Sequence, residues 1–443
     1  MRIVIVGGGI SGLSTAFYIK ARRPAWQVTL LEGAQHLGGT MRTETVAGFH
    51  FETGSNGFLT SKPDTLELVK ESGAEHLLMP SNDNARIRYI YKDALHRLPE
   101  SPPAFIGTRL LSVGGKLRTL GELFVPPRQD TGDETLQSFG YRRLGKEFTD
   151  VFLNAMTAGI YGSAPEAISV RAAFPLVVAL ERDHGGLFRG MLKKRRKQAG
   201  PGGILMSFNA GVSTYVDYLG STLDADVHVG APVRGIEHAA GVYRLETDSQ
   251  AFEADRLVLA TPAYVAAELL RGLDPGLAQR LAAIEYSPIA VVGLGYRQLE
   301  HPLQGFGLLT TASARLPVLG ILWDSSIFPD RAPQGAKSLR VMIGGQRDPA
   351  LALQDEPALL QSALAGVART MGITSPPDVT FVKRWERGIP NYPVGHLANV
   401  DSLFQELARF PGLYLNSNAY YGIGLNDCVR NSRRIAERIS EAP

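Results

Sequence analysis

A glycine-rich segment near the start of the chain has the spacing of a dinucleotide-binding loop. Gly7, Gly9 and Gly12 follow the pattern G-x-G-x-x-G directly after a short apolar run. In this pattern the first glycine makes a tight turn, the second lets the backbone approach a pyrophosphate, and the third allows close helix–strand packing. The free N–H groups at the start of the following helix favour an anion. We therefore expect the whole segment to bind a dinucleotide: Gly7, Gly8, Gly9, Ile10, Ser11 and Gly12.

An acidic residue stands where this type of loop requires one. Glu32 follows Gly12 by twenty residues and comes directly after a second apolar run, Val28–Leu31. A carboxylate at this place accepts hydrogen bonds from ribose hydroxyls. The loop, the two apolar runs and the acid together predict a dinucleotide site, but they do not distinguish NAD from FAD.

The elements that must position these residues follow from the hydrophobic pattern. Ile3–Val6 and Val28–Leu31 predict buried strands on either side of a helix over Gly12–Ala21. Strand-like runs recur at 257–260, in several places between 286 and 345, and at 413–415, and a last helix is expected from Asp427. Residues 100–200 have a helical pattern that prolines interrupt. The order predicts an α/β (α+β) protein.

The composition excludes several classes of protein. The chain has 443 residues, a net charge of +3 and a single cysteine, Cys428. An internal disulfide and a cysteine-rich metal site are therefore excluded, and the small positive charge gives no reason to expect a nucleic-acid partner. Because no apolar stretch approaches the roughly 18 residues needed to cross a bilayer, we expect a cytoplasmic protein.

Two later segments favour FAD. Residues 36–43, His-Leu-Gly-Gly-Thr-Met-Arg-Thr, resemble the L-G-G-x-x-x-T continuation of flavin amine oxidases, in which a glycine pair and a basic residue lie near the phosphates. Residues 413–427 predict a strand, a glycine turn and a helix. A helix that begins near Asn426 would direct its positive end at the flavin pyrimidine ring and stabilise the reduced flavin. Asn426 and Asp427 are equally suited to cap that helix.

Several segments along the chain resemble the oxygen-dependent, FAD-containing protoporphyrinogen oxidase family, which includes enzymes that oxidise coproporphyrinogen III to coproporphyrin. The matching segments are Tyr421–Cys428, Trp385 with 388–396, Arg88–Tyr91 with Leu98–Pro99, 159–163, 169–175, 305–307 and 325–329. The chain departs from the family pattern at Gly54–Gly57, Asn391 and Ser163.

This resemblance implies an FAD-linked fold of the two-domain hydroxylase or amine-oxidase type. It has a Rossmann-type FAD domain, an antiparallel-sheet substrate domain and a helical domain that contacts a membrane. The expected ranges are 1–80, 203–265 and 385–443 for the FAD domain, 81–98, 171–202 and 266–384 for the substrate domain, and 99–170 for the helical domain.

The resemblance also implies roles for individual residues. Arg88 would bind a substrate carboxylate, and no side chain is expected to act catalytically, because the flavin carries out the redox chemistry. Val233 would contact the adenine through its backbone, and Trp385 would lie beside the flavin. Besides residues 7–12, the expected cofactor-binding residues are Glu32, Gly39, Thr40, Arg42, Gly54, Ser55, Asn56, Gly57, Val233, Trp385, Gly422, Ile423 and Gly424.

The implied reaction is the six-electron oxidation of protoporphyrinogen IX to protoporphyrin IX in haem biosynthesis, with oxygen as acceptor and hydrogen peroxide as product. Oxidation of coproporphyrinogen III is the alternative, and a flavin amine oxidase, a carotenoid desaturase or a non-catalytic flavoprotein are more distant ones. We expect a monomer or homodimer in the cytoplasm. The basic run Lys193–Lys197 suits either a solvated helix face or an anionic membrane surface, and the apolar residues within 105–125 suit either a buried core or a peripheral contact with the inner face of the membrane.

Overall fold

The computed structural model describes residues 1–130, 132–197 and 203–441, and leaves out the side chains of residues 194–197. Its helices are α1 (Ile10–Arg22), α2 (Asp64–Glu71), α3 (Pro102–Gly107), α4 (Val113–Leu120), α5 (Leu136–Arg143), α6 (Lys146–Phe148), α7 (Asn154–Tyr161), α8 (Val170–Ala173), α9 (Pro175–His184), α10 (Leu187–Lys197), α11 (Val212–Thr222), α12 (Ala263–Leu270), α13 (Pro275–Ala282), α14 (Asp324–Ile327), α15 (Pro349–Ala352), α16 (Glu356–Met371), α17 (His396–Leu407) and α18 (Leu425–Glu441). Its strands lie in two larger sheets and three smaller ones.

A five-stranded parallel sheet brings the start, the middle and the end of the chain together. Its order is β10 (Asp226–His228), β2 (Gln27–Leu31), β1 (Arg2–Val6), β14 (Arg256–Leu259) and β20 (Leu413–Leu415). The central strands are almost entirely apolar because helices or strands cover both faces of a parallel sheet. Helices α1, α11 and α18 pack on one face, and α12, α13 and α17 pack on the other. This confirms the predicted Rossmann-type domain and its strand–helix–strand beginning.

An antiparallel meander adds to the second face of the parallel sheet. It consists of β11 (Val233–Ala239), β12 (Val242–Thr247) and β13 (Ala251–Ala254). The side chains of Tyr243 and Leu245 are buried in the same apolar cluster as the parallel strands. The meander therefore packs as part of the same domain as the parallel sheet.

A seven-stranded sheet forms the second large layer. Its order is β19 (Val379–Pro390), β15 (Tyr286–Tyr296), β18 (Lys337–Gly344), β17 (Gly320–Leu322), β16 (Gly307–Thr310), β7 (Arg88–Tyr91) and β8 (Leu95–Arg97). All neighbouring pairs are antiparallel except β16 and β7, which are parallel. The predicted antiparallel sheet is present, and β19 continues it as far as Pro390, beyond the proposed boundary at 385.

A cluster of helices lies in the sequence between β8 and β15, so it separates β7 and β8 from the other strands of this sheet. Helices α5, α7, α9 and α10 share buried apolar residues, among them Phe139, Leu180 and Leu187. Helices α9 and α10 therefore pack with the helical cluster, although the proposed boundary lies at residue 170. Of the helices in the described ranges, none is both long enough and apolar enough to span a bilayer.

Two small sheets connect the large ones. One is the hairpin β3 (Thr43–Val46) and β4 (Phe49–Glu52), and the other has the order β5 (Phe58–Leu59), β9 (Leu205–Phe208) and β6 (Leu78–Pro80). The hairpin lies against the seven-stranded sheet, where a Cβ atom on Gly293 would come within 2.4 Å of the Phe51 ring. Strand β4 therefore places residues 53–57, which follow it, in the region between the two large sheets.

Candidate cofactor and substrate site

Two different structural reasons explain why the N-terminal loop contains glycine at these positions. A Cβ atom on Gly12 would lie 1.9 Å from the carbonyl oxygen of Gly7, and one on Gly7 would lie 2.7 Å from that of Ala260. Both glycines are therefore required by the packing of protein backbone against backbone. Gly9 is different, because its φ of −73° suits any residue and a Cβ atom there would meet only the Gly38 oxygen, at 3.8 Å.

The loop is open at the place where a pyrophosphate would bind. Gly9 is the residue before α1, no side chain of the described residues caps this helix, and its first turn contains no acidic residue. The first N–H groups of a helix need partners, and an anion satisfies them well. Gly9 also forms a bridge with Gly38 of the glycine pair. The space beside Gly9 and the uncapped helix fit the diphosphate of a dinucleotide.

The Glu32 carboxylate is held in place by backbone N–H groups. Its Oε2 accepts a hydrogen bond from Gly8 N at 2.7 Å, and its Oε1 accepts one from Ala34 N at 2.8 Å. The backbone N of Ala231 donates to the Glu32 carbonyl at 2.8 Å, two residues before Val233 at the start of β11. Glu32 and Val233 thus lie at the same end of the site, as the ribose and adenine roles require.

The predicted segment Gly54–Gly57 lies between the two large sheets. A Cβ atom on Gly54 would come within 2.4 Å of the Thr40 carbonyl oxygen, which joins this segment to the predicted phosphate-side residues. Both polar atoms of the Asn56 side chain and the Thr261 hydroxyl are buried without a partner among the described residues. Buried polar groups in native proteins are almost always hydrogen-bonded. Their environment therefore fits a polar cofactor.

Trp385 reaches this segment from the seven-stranded sheet. Its indole Nε1 donates to the carbonyl oxygen of Thr53 at 2.8 Å. The Lys383 ammonium lies 4.6 Å from the centre of the Trp385 ring. The structure thus brings Trp385 next to Gly54, and a direct contact of its ring with the flavin stays a prediction.

The C-terminal glycine segment lies on the other side of the same region. The Gly422 N donates to the hydroxyl of Tyr392 at 3.0 Å. Asn426 accepts a hydrogen bond from Thr65 N at 3.0 Å and donates to the Leu59 carbonyl at 3.1 Å. Asn426 therefore ties the start of α18, with Ile423 and Gly424 before it, to the chain that follows Gly57.

Two predicted basic residues have different surroundings. The Arg42 Nε donates to Glu44 at 2.6 Å, so this guanidinium is already in an ion pair. Arg88 is exposed, lies 5.2 Å from the centre of the Phe306 ring and forms no ion pair with another described residue. It lines a pocket of about 440 Å³ together with Leu59. Since Leu59 follows Gly57 by two residues, this pocket adjoins the segment Gly54–Gly57.

Sequence reasoning missed a buried charged cluster behind this segment. Arg340 donates to the carbonyl oxygens of Glu52 at 3.2 Å and of Gly54 at 3.3 Å, and to Asp324 Oδ1 at 3.2 Å. Arg331 lies 3.0 Å from the Glu52 carboxylate. Burial raises the pKa of Glu52 to about 7 and raises that of Asp324. The sequence feature that could have indicated this cluster is a charged residue, Arg340, inside the otherwise apolar run 339–343.

Asn416 is a second residue that the sequence did not reveal. Its side-chain amide donates to the Ser11 carbonyl at 3.3 Å, to Thr15 Oγ1 at 2.9 Å and to Ser432 Oγ at 2.9 Å. It therefore joins the helix of the N-terminal loop to α18.

No group of three or more potential metal ligands occurs within the described ranges.

Comparisons with known proteins agree with this geometry. The profile of the family described as flavin containing amine oxidoreductase matches residues 10–440. The chain is 29% identical to coproporphyrinogen III oxidase of Bacillus subtilis, over 96% of this chain and 95% of the relative. It is 31% identical to protoporphyrinogen oxidase of Bos taurus, over 99% of this chain and 98% of the relative.

Solved structures give the same result for the fold. A crystal structure from Exiguobacterium sp. 255-15 superposes with a TM-score of 0.88 and 28% identity, covering 99% of this chain and 98% of that one. A putrescine oxidase superposes with a TM-score of 0.73 at 16% identity, over 99% of both chains, which shows a common fold. Together with the fit of the glycine loop, Glu32 and Asn56, these matches assign FAD as the cofactor of an oxidase.

Proposed function

The chain belongs to the flavin-containing amine oxidoreductases and, within them, to the protoporphyrinogen oxidase family, and from this premise we propose that it oxidises a porphyrinogen to the porphyrin. The proposed reaction is the six-electron oxidation of protoporphyrinogen IX to protoporphyrin IX. Each oxygen molecule takes up two electrons and two protons as hydrogen peroxide, so three oxygen molecules balance the six hydrogens lost. The observation that carries the proposal is the position of Arg88 in a pocket beside Gly54–Gly57.

The residues of this pocket suit an apolar macrocycle with acidic substituents. Leu59, Leu205 and Phe306 supply apolar surface, and the Arg88 guanidinium is free to pair bidentately with a propionate. Bound FAD supplies a two-electron acceptor, so three successive turnovers complete one porphyrin. The work of the chain itself is to hold the substrate in one orientation and to exclude water from the reacting carbon.

Coproporphyrinogen III is the second candidate substrate, and one observation favours it. Arg86 lines the same pocket as Arg88, and its ion pair with Asp83 is loose, at 3.8 Å. Protoporphyrinogen has two propionates, and coproporphyrinogen has four. A second guanidinium at the pocket, held only by this long ion pair, suits the more acidic of the two substrates.

The direct test is the growth of porphyrin fluorescence in air from each porphyrinogen, with the purified yellow protein. The proposal expects growth that depends on FAD and on oxygen, with hydrogen peroxide formed in the balanced amount. The ratio of the two rates identifies the substrate. FAD-bound protein that produces neither porphyrin would contradict the proposal.

Two arginine variants test the binding mode. Arg88→Ala is expected to raise KM about 10- to 100-fold with a smaller change in kcat, because a charge-assisted hydrogen bond is lost. Arg86→Ala serves as the partner variant, and it should raise KM more for coproporphyrinogen than for protoporphyrinogen. An unchanged KM in Arg88→Ala would remove Arg88 from the substrate site.

We also propose a peripheral membrane contact through the helical cluster. Five large apolar side chains there are between 45% and 86% exposed: Ile106, Val113, Leu117, Leu120 and Phe124. Helix α10 lies against this surface, because Arg189 donates to the Leu123 carbonyl at 2.7 Å. Lys193 on the same helix is exposed, and the side chains of the other four basic residues of the run lie outside the described residues. Exposed apolar groups beside basic ones are typical of proteins that bind the surface of an anionic bilayer.

Flotation with lipid vesicles tests this contact. The protein should float with vesicles that contain anionic lipid and float less at high salt. Phe124→Glu should reduce flotation, and Leu353→Glu, which changes an apolar side chain that is 49% exposed elsewhere, should not. Equal flotation of both variants and the unchanged protein would contradict the proposal.

A further inference from the structure

Three consecutive carbonyl groups at the start of the flavin-side segment, those of Glu52, Thr53 and Gly54, are held by side chains of the seven-stranded sheet. Arg340 donates to the carbonyl oxygens of Glu52 and Gly54, and Trp385 donates to that of Thr53. Arg340 is on β18 and Trp385 is on β19, with β15 between them. We call these two side chains the carbonyl clamp. Through it, one sheet holds a segment that leads into the other domain.

Arg340 is almost completely buried, with 3% of its surface exposed. Its remaining charged contact is Asp324, which is itself fully buried. A buried ion pair is costly to desolvate and is often no more stable than an apolar replacement. Overall stability is therefore a poor explanation for a charge at this position. The geometry offers a better one, because two of the guanidinium's hydrogen bonds end on the backbone of Glu52 and Gly54.

The same segment is also held from the opposite side. The Glu52 carboxylate accepts hydrogen bonds from Val212 N at 3.2 Å and Thr43 Oγ1 at 2.7 Å, and it pairs with Arg331. Val212 begins α11, which packs on the parallel sheet. The side chain of Glu52 is thus bonded to the start of α11, to Thr43 of the hairpin and to Arg331, and its carbonyl is bonded to the seven-stranded sheet. The carbonyl clamp sets the position of the segment between the two sheets.

We propose that Arg340 is a positioning residue that aligns Gly54–Gly57 with the ring of FAD. This rests on the proposed role of Gly54–Gly57 at the flavin. Backbone dipoles that are held beside a reacting group tune its electronics only while they are correctly oriented. A misplacement of about 1 Å can lower a rate by about a hundredfold. Arg340 acts through the segment and is not required to touch substrate or cofactor.

The test compares Arg340→Met and Arg340→Lys in the FAD-loaded protein. Both should change the visible circular dichroism of bound FAD and its midpoint potential, measured by equilibration with reference dyes. Lysine keeps the charge, but a single ammonium does not reproduce the planar fork that contacts three acceptors. Reduction of bound FAD by a porphyrinogen should slow about 10- to 100-fold, with the change in kcat rather than KM.

The control is Arg143→Met. Arg143 is as buried as Arg340 and pairs with the buried Glu122 in the helical cluster. It should lower thermal stability without changing the spectrum or the potential. If Arg340→Met does not fold, Trp385→Phe removes the other hydrogen bond of the clamp, to Thr53, together with part of the indole surface, and should change the same signals by a smaller amount.

Two results would overturn the inference. One is an Arg340→Met protein that binds FAD with unchanged dichroism and potential. The other is full recovery of both signals in Arg340→Lys, which would show that charge alone matters. Failure of the proposed function is a separate result: the potentials would still respond to Arg340, but no porphyrinogen would reduce the unchanged protein.

Discussion

The two ends of the proposed cofactor site are built in different ways. At the nucleotide end, residues 7–12 and Glu32, the hydrogen bonds to the Glu32 carboxylate come from nearby parts of the chain: Gly8 N is 24 residues away and Ala34 N is two residues away. At the ring end, Gly54–Gly57 and Gly422–Gly424, they join distant parts of the chain. The hydrogen bond from Arg340 to Gly54 spans 286 residues, and that from Trp385 to Thr53 spans 332.

The atoms that set the geometry also differ. A Cβ atom on Gly12 would collide with backbone, the Gly7 carbonyl oxygen, whereas one on Gly293 would collide with a side chain, the ring of Phe51. Backbone inside a packed helix–strand contact has little freedom to shift, and a ring has some. The packing of the glycine loop is therefore more rigid than the contact between the hairpin before Gly54 and the seven-stranded sheet, which substitutions can adjust.

The largest effect is expected for Gly12→Ala. The added methyl group would lie 1.9 Å from a backbone oxygen, so α1 must move away from β1. We expect a loss of about 3 kcal/mol or more of unfolding free energy and failure to retain FAD. Chemical unfolding and the flavin content of purified protein measure both. A variant as stable as the unchanged protein would show that the loop adapts more easily than the packing indicates.

Gly9→Ala separates the effect of a substitution on FAD binding from its effect on the packing of the protein. Because a Cβ atom there meets nothing closer than 3.8 Å, the apoprotein should unfold at the same temperature as before. The affinity for FAD should fall about 10- to 100-fold, since the methyl group occupies the space of a phosphate and weakens a charge-assisted hydrogen bond. Titration of apoprotein with FAD measures the affinity. Unchanged binding would place the pyrophosphate elsewhere.

Gly293→Ala makes the matching change at the ring end. The Phe51 ring must shift, which we expect to cost about 1–3 kcal/mol, less than at Gly12. FAD should still bind, with an altered visible dichroism because the hairpin carries the chain toward Gly54. Gly241→Ala is the control. A Cβ atom there has no neighbour within 4 Å, so this variant shows the cost of an added methyl group that meets no other atom, at an exposed turn of positive φ. A destabilisation equal to that of Gly12→Ala would break the comparison.

The smallest effect is expected for the dependence of protein stability on pH, through His396. This ring stacks on Tyr392 with the ring centres 4.1 Å apart, and the Tyr392 hydroxyl accepts the hydrogen bond from Gly422 N. Burial lowers the pKa of His396. A lowered pKa means that the folded state binds the proton less well than the unfolded state, so this stabilisation is present above about pH 6.5 and is lost as the pH falls below it.

His396→Gln should therefore flatten the acid side of the stability profile. We expect it to remove roughly 2 °C or less of the fall in Tm between about pH 6.5 and 5, as measured by differential scanning fluorimetry. His36→Gln, at an exposed histidine, is the control and should leave the profile unchanged. Parallel profiles for both variants would show that His396 does not titrate in this range.

Much of the nucleotide end could be predicted from the sequence because the patterns that indicate it are local. The apolar runs at 3–6 and 28–31, the spacing of Gly7, Gly9 and Gly12, and the position of Glu32 predicted the strand–helix–strand unit that the structure shows. The last strand, Leu413–Leu415, was predicted with its observed bounds, and α18 begins two residues before the expected Asp427. Periodicity and glycine spacing report on the chain's own backbone within one turn or one strand.

The carbonyl clamp was decided only by the tertiary structure. Arg340 stands in an apolar strand run, and nothing in the sequence says which carbonyl groups its guanidinium meets. That choice depends on the packing of β18 and β19 against the end of β4, which no local pattern encodes. The sequence by itself determined the strand–helix–strand unit and the glycine loop that is the proposed site of the FAD nucleotide, because that loop is made by one short stretch of backbone. How the ring end is held was decided by folding, because its hydrogen bonds join residues about 300 positions apart.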